Sequence, residues 1–180
     1  MAPKEEEHTM RIFRDKESAV IPEFATEGSA CFDLRACFDL EDKVTAYNPH
    51  NKTMQLPVRI AGGKPSIQLH ASFRTLVPTG LIFDIPKYHE MKIYIRSSMA
   101  LKYGLMLANG VGVIDSDYID PTYVMVYNAS DTPITIYAGD RIAQAQLQKI
   151  DRDKCKLTER LSRPTQKTDR EGGLGSTGVE

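Results

Sequence analysis

A chain of 180 residues with a formal net charge of -1 suits one domain of roughly 100–200 residues and lacks the clustered Lys and Arg that grip long nucleic acid. No apolar run approaches the roughly 20 residues of a membrane span. The three cysteines, Cys31, Cys37 and Cys155, are odd in number and without paired spacing, which argues against a disulfide framework and for the reducing cytoplasm.

Residues 1–9 are polar and acidic with no apolar core of a secretion signal, and are expected to form a disordered tail. Residues 10–162 carry the domain. Apolar and polar residues alternate over 10–14, 67–71 and 92–96. Short β-branched and aromatic runs recur at 73–77, 81–85, 123–127, 134–137 and 144–150. Turn residues separate them, as at Pro78-Thr79-Gly80, Asn109-Gly110 and from Ala129 to Thr132. Many short strands punctuated this way predict an all-β fold, a jelly-roll-like distorted β-barrel. Residues 45–66, rich in Asn, Pro, Gly and Lys, read as a long irregular excursion.

Residues 98–102 are good helix formers, with Ser97 or Ser98 as cap and Gly104 as stop. They predict a single short helix directly after Arg96, whose free N-terminal N–H groups suit a phosphate. Asn109-Gly110 predicts a hairpin turn, and Gly112 allows close approach of backbone to a ligand. Asp115 and Asp117, two apart, are expected to share one side of an extended chain. A carboxylate there, beside phosphates, suits a base or the placing of a metal. Residues 149–163 alternate in charge and read as solvated surface, and 163–180 form a polar, glycine-rich arm. His8, His50, His70 and His89 show no metal-ligand spacing.

Five segments in order resemble the motifs of the trimeric dUTPase family. They begin with Gly28-Ser29-Ala30-Cys31-Phe32-Asp33-Leu34-Arg35, then Arg96-Ser97-Ser98 with Ala100, Lys102 and Gly104. The third runs from Asn109 through Asp115 to Tyr118, the fourth is Gly139-Asp140-Arg141-Ile142-Ala143-Gln144, and the fifth is the glycine cluster at 172–178. The chain departs from the family pattern at Cys31, Phe32, Ile119-Asp120-Pro121 and Leu174. Because Ala36-Cys37-Phe38-Asp39-Leu40 echoes the first motif, either Asp33 or Asp39 is the first-motif acid.

The resemblance implies a Mg²⁺-assisted hydrolysis of dUTP to dUMP and pyrophosphate by water attack on the α-phosphorus. That activity limits uracil incorporation into DNA and supplies dUMP for thymidylate synthesis. It also implies a homotrimer whose C-terminal arm, 163–180, closes a neighbour's active site. By the same resemblance Asp115 activates the water, and Asn109, Gly112, Val113, Ile114 and Tyr123 frame the uracil. Tyr118 packs on deoxyribose, Arg96, Ser97, Ser98 and Gln144 hold phosphates, and Arg170, Leu174, Gly175 and Ser176 cover the bound nucleotide. Asp33 would reach the metal through water. The excursion at 45–66 would offer a surface to a protein partner that the sequence does not identify. Localisation is expected in the cytoplasm, or in a host's cytoplasm for a virus-encoded chain. The alternatives are a dCTP deaminase-like member of the same fold and a catalytically idle regulatory module. Against the first, residues 123–128 carry no acid.

Overall fold

The computed structural model describes residues 9–165 and 167. Strands open with β1 (Arg11–Arg14), β2 (Phe32–Arg35), β3 (Lys43–Tyr47), β4 (Thr53–Pro57) and β5 (Arg59–Ala61). They continue through β6 (Lys64–Leu69), β7 (Arg74–Pro78), β8 (Leu81–Asp84) and β9 (His89–Ile95) to helix α1 (Ser97–Tyr103). Then follow β10 (Leu105–Leu107), β11 (Gly112–Asp115), β12 (Tyr123–Asn128), β13 (Ile134–Tyr137) and β14 (Arg141–Lys149).

The strands pair antiparallel in four sheets, ordered β1-β8, β10-β12-β7-β3-β4, β11-β9-β14-β2 and β13-β6-β5. The period-2 pattern decides which faces meet. Val124, Val126 and Asn128 of β12 are buried while Tyr123 and Met125 face outward, and Met91 and Ile93 of β9 join the same core as Leu34, Ala143 and Ala145. The buried Asn128 amide donates to the carbonyls of Leu69 (3.0 Å) and Thr132 (2.8 Å), and its Oδ1 accepts from the Ser130 N–H. One side chain thereby ties down the Ala129–Thr132 turn without leaving an unpaired amide in the core. This nearly all-β, jelly-roll-like architecture agrees with the sequence.

Three local expectations are corrected. Residues 45–66 are not an irregular excursion but strands and turns. β3 and β4 form a hairpin across Asn48–Lys52, where Asn48 Oδ1 accepts from the N–H of His50 (2.9 Å) and of Lys52 (3.0 Å). Gly62 and Gly63, at φ 55 and 76, turn β5 into β6. The Asn and Gly content thus marks two tight turns, because these residues enter left-handed backbone cheaply. The helix starts one residue earlier than expected, with Arg96 as N-cap and no side-chain cap hydrogen bond from either serine. Its end at Gly104, φ 67, with the glycine N–H returned to the Ala100 carbonyl, is as expected. Asn109-Gly110 turns sharply but makes no hairpin, since β10 pairs with β12 and β11 pairs with β9.

The chain divides at Ile150. Residues beyond it, described by themselves, hold one 3-10 turn (Arg152–Lys154) and exposed chain that includes Leu157 and Leu161. No helix among the described residues is long and apolar enough to cross a membrane.

Candidate active site

The third motif builds a cleft of about 300 Å³ between β11 and β12, and Asn109, Gly112, Val113, Ile114, Asp115, Tyr118 and Tyr123 all line it. Its apolar wall comes from Leu76, Ile93, Leu107 and Met125. The cleft therefore unites every residue the sequence nominates for base, sugar and water.

β11 is an outer strand of its sheet, paired on one side with β9 through Gly112↔Ile93 and Asp115↔Glu90. An outer strand presents a row of backbone donors and acceptors along its second side. Gly112 has a more specific role than close approach to a ligand. A Cβ there would lie 3.0 Å from the Ile93 Cβ, so glycine lets β11 seat tightly on β9.

β11 ends at Asp115, and a turn follows in which the Tyr118 N–H donates to the Asp115 carbonyl at 3.1 Å. The expectation that Asp115 and Asp117 share a side fails for this reason. The chain is no longer extended, and Asp115 lines the cleft where Asp117 does not. The same turn aims Tyr118, whose hydroxyl donates to the Pro121 carbonyl at 3.0 Å. Burial, with the Asp120 carboxylate and Tyr123 nearby, pushes the Tyr118 phenol above its ordinary pKa.

A second cleft, about 450 Å³, lies at α1 and the start of β14, with Arg96, Ser98, Lys102, Arg141, Tyr103 and Tyr137 in its lining. Asp33 joins its cations. Its Oδ1 lies 2.9 Å from Arg96 Nε and its Oδ2 3.1 Å from Arg141 Nη1. β2 brings Asp33 opposite Gln144 of β14, which in turn stands opposite Tyr94 of β9. Asp39 is elsewhere, with Lys16 and Ser18. Of the two echoed acids, Asp33 is the one placed with Arg96. Gln144 Nε2 sits 3.5 Å from the Ile95 carbonyl, long for a hydrogen bond, and Ser97 is exposed. Arg141 lies inside the fourth motif, yet only the β2–β14–β9 pairing reveals that it meets the acid of the first.

Asp115 and Arg96 lie at opposite ends of β9, while the first cleft reaches along the strand as far as Ile93. Asp115 pairs with Glu90 at one end and Arg96 follows Ile95 at the other. Six residues of strand separate them by about 20 Å. Arg170, Leu174, Gly175 and Ser176 lie outside the described residues. Among the described residues no three His, Cys, Asp or Glu side chains gather as a metal site.

The dUTPase family profile matches residues 63–178. A deoxyuridine 5'-triphosphate nucleotidohydrolase of Finegoldia magna is 35% identical over 165 residues, covering 91% of this chain and 95% of that one. The Staphylococcus bacteriophage 80alpha dUTPase with dUPNHPP superposes with a TM-score of 0.73 at 17% identity, covering 96% of this chain and 100% of that chain. A mutant dUTPase from phage phi11 of S. aureus, described with a structural Mg(II) ion, has a TM-score of 0.58 at 16% identity, covering 88% of this chain and 98% of that chain. With motif residues gathered in two clefts and a family profile spanning most of the sequence, the chain belongs to the dUTPase family.

Proposed function

We propose that the chain hydrolyses dUTP to dUMP and pyrophosphate in a homotrimer whose sites are shared between subunits. The observation that carries this reading is the single cleft joining an outer strand, Asp115 and Tyr118. Uracil offers a donor at N3 between two carbonyl acceptors. A strand edge answers that pattern with backbone acceptor and donors, whereas cytosine presents an acceptor at N3 and an amino group in place of one carbonyl. The Tyr118 ring, held by its bond to the Pro121 carbonyl, packs on deoxyribose and leaves no room for a 2′-hydroxyl.

Asp115 orients and deprotonates the water that attacks the α-phosphorus, a general-base role worth about 10²–10⁴-fold. Arg96, Ser97, Ser98 and Gln144 hold the phosphates, where fixed donors stabilise the charge that builds during transfer. The separation of about 20 Å along β9 supports a site completed by a neighbour, with one chain giving Asp115 and another Arg96. The arm at 163–180, through Arg170, Leu174, Gly175 and Ser176, closes over the nucleotide.

Magnesium suits this donor set as an ion carried by the triphosphate, since it is commonly bound by one or two carboxylates plus substrate phosphates and keeps several waters. Asp33 is the acid placed with the phosphate-binding cations and would meet such an ion only through water. When bound, the ion neutralises phosphate charge and favours departure of pyrophosphate. Hydrolysis keeps uracil out of DNA and supplies dUMP for thymidylate synthesis, and we place it in the cytoplasm. The deaminase alternative finds no support in the nucleotidohydrolase relatives, and the intact cleft argues against an idle module. Pyrophosphate release measured side by side with dUTP, UTP, dCTP and dTTP tests the reading. Release from dUTP alone is expected, and equal rates with dTTP or UTP would overturn it.

A further inference from the structure

The Asp33 carboxylate is fully engaged by two arginines. One oxygen faces Arg96 Nε at 2.9 Å and the other faces Arg141 Nη1 at 3.1 Å. Arg96 Nη1 also donates to the Arg141 carbonyl at 3.3 Å. The side chains of Asp33 and Arg96 are only 22% and 25% exposed, and that of Arg141 is 47% exposed. A guanidinium has five N–H donors in a rigid fork. Arg96 commits its Nε to Asp33 and one Nη1 bond to the Arg141 carbonyl, which leaves three of its five N–H donors without a partner among the described residues. Arg141 commits one Nη1 donor and keeps the rest. Two cations flanking one carboxylate would repel each other in its absence, and each is a long side chain with many rotamers.

We propose that Asp33 is a positioning residue for phosphate binding, fixing Arg96 and Arg141 so that their unused N–H groups face the triphosphate. It acts through the arginines, independently of any water it shares with the ion. The proposal rests on the reading that Arg96 meets the phosphates. Charge alone predicts the opposite sign, because deleting an anion beside a phosphate site should tighten binding of a polyanion. Preorganisation predicts weaker binding, because both arginines would then have to be ordered by the ligand itself. The sign of the effect separates the two.

The test uses the full-length protein and a non-hydrolysable dUTP analogue, titrated calorimetrically with Mg²⁺ and again with EDTA. Asp33→Asn keeps the shape and one acceptor but loses the charge. It should weaken analogue binding about tenfold under both conditions, while dUMP binding, which also reports a folded base cleft, stays within about twofold. Asp33→Ala should give at least the same loss. In an Arg96→Lys background, which lacks the Nε fork, Asp33→Asn should cost clearly less than in the native background. Tighter binding by Asp33→Asn would overturn the proposal, as would a loss seen only with Mg²⁺, which assigns Asp33 to the metal. Full multiplication of the Asp33 and Arg96 losses would also overturn it, while leaving the phosphate role of Arg96 intact. If Arg96→Lys has native affinity, the phosphate role of Arg96 falls first and the proposal with it.

Discussion

Mixing two differently inactivated chains should restore activity if each site draws Asp115 from one subunit and Arg96 from another. Within one chain these residues lie at the two ends of β9, where Asp115 pairs with Glu90 and Arg96 follows Ile95. Six residues of strand amount to about 20 Å, and reacting atoms must come within about 3–3.5 Å of each other. Asp115→Asn alone should lose at least about 10²-fold in turnover, the low end for a general base. Arg96→Ala alone should lose a comparable factor, as when one charge-stabilising donor is removed from a site, roughly 10²–10³-fold. When the chains are mixed one to one and assort randomly in a symmetric trimer, half of them carry Asp115 and half of the neighbours carry Arg96. About a quarter of all sites are then complete; each mixed trimer holds one complete site in three, so about a third of native activity should return in mixed trimers. Differently tagged chains, refolded together and purified through both tags, allow pyrophosphate release to be measured on mixed trimers only. Activity no greater than the sum of the two parents, in trimers shown to be mixed by native mass spectrometry, would refute the shared site.

For Asp115→Asn, affinity for the non-hydrolysable analogue should stay near native while turnover falls by at least about 10²-fold; near-normal turnover would mean that another group activates the water. Tyr118→Ala should raise the rate with UTP relative to dUTP, and an unchanged ratio would move sugar selection to another residue. Gly112→Ala places a methyl 3.0 Å from the Ile93 Cβ, so β11 must shift by a few tenths of an ångström. Analogue affinity should fall about fivefold, and native affinity would show that the seating of β11 does not matter. Asp42 offers a test of stability against pH. Burial alone would raise its carboxyl, but hydrogen bonds from Lys16 and from the Asp39 N–H hold it below the ordinary value. A depressed folded pKa contributes stability above the unfolded value of about 3.9 and loses it as pH falls through the folded one. Asp42→Asn should therefore lower the melting temperature at neutral pH, and the difference should shrink below about pH 4. An equal difference at pH 3 would show that the contact is not charge-dependent.

Strand positions were legible where alternation was clear, as in β1 and β9, and where β-branched and aromatic residues run together, as in β7, β8, β12 and β13. Between residues 45 and 66 the alternation is short, and Asn48, Asn51, Gly62 and Gly63 dominate the composition. Those residues set the turns, while β3 and β6 owe their stability to partners distant in sequence, β7 and β13. The third-motif cleft was readable because its residues are contiguous and one turn gathers most of them. The Asp33–Arg96–Arg141 cluster was not, because its members are separated by 63 and 45 residues in sequence and meet only through β2–β14–β9 pairing. The echo between Ala30–Leu34 and Ala36–Leu40 illustrates the same limit. Identical letters give Asp33 two arginines and Asp39 a lysine and a serine, since β2 ends at Arg35 and the second copy lies beyond it.

The division of labour between backbone and side chain follows from this placement. In the proposed site a strand edge reads the base with groups that every residue possesses, so its selectivity depends on where the strand sits rather than on side-chain identity. That position is set by β9, against which Gly112 lies too close for any Cβ to fit without displacement. β9 also delivers the chain into Arg96 and α1, so one strand fixes both the edge proposed to read uracil and the start of the proposed phosphate cleft. With Asp115 and Arg96 drawn from different chains, as proposed, assembly sets the distance between base and phosphate recognition, and a ligand with the right base but a misplaced α-phosphorus would meet only half of the machinery.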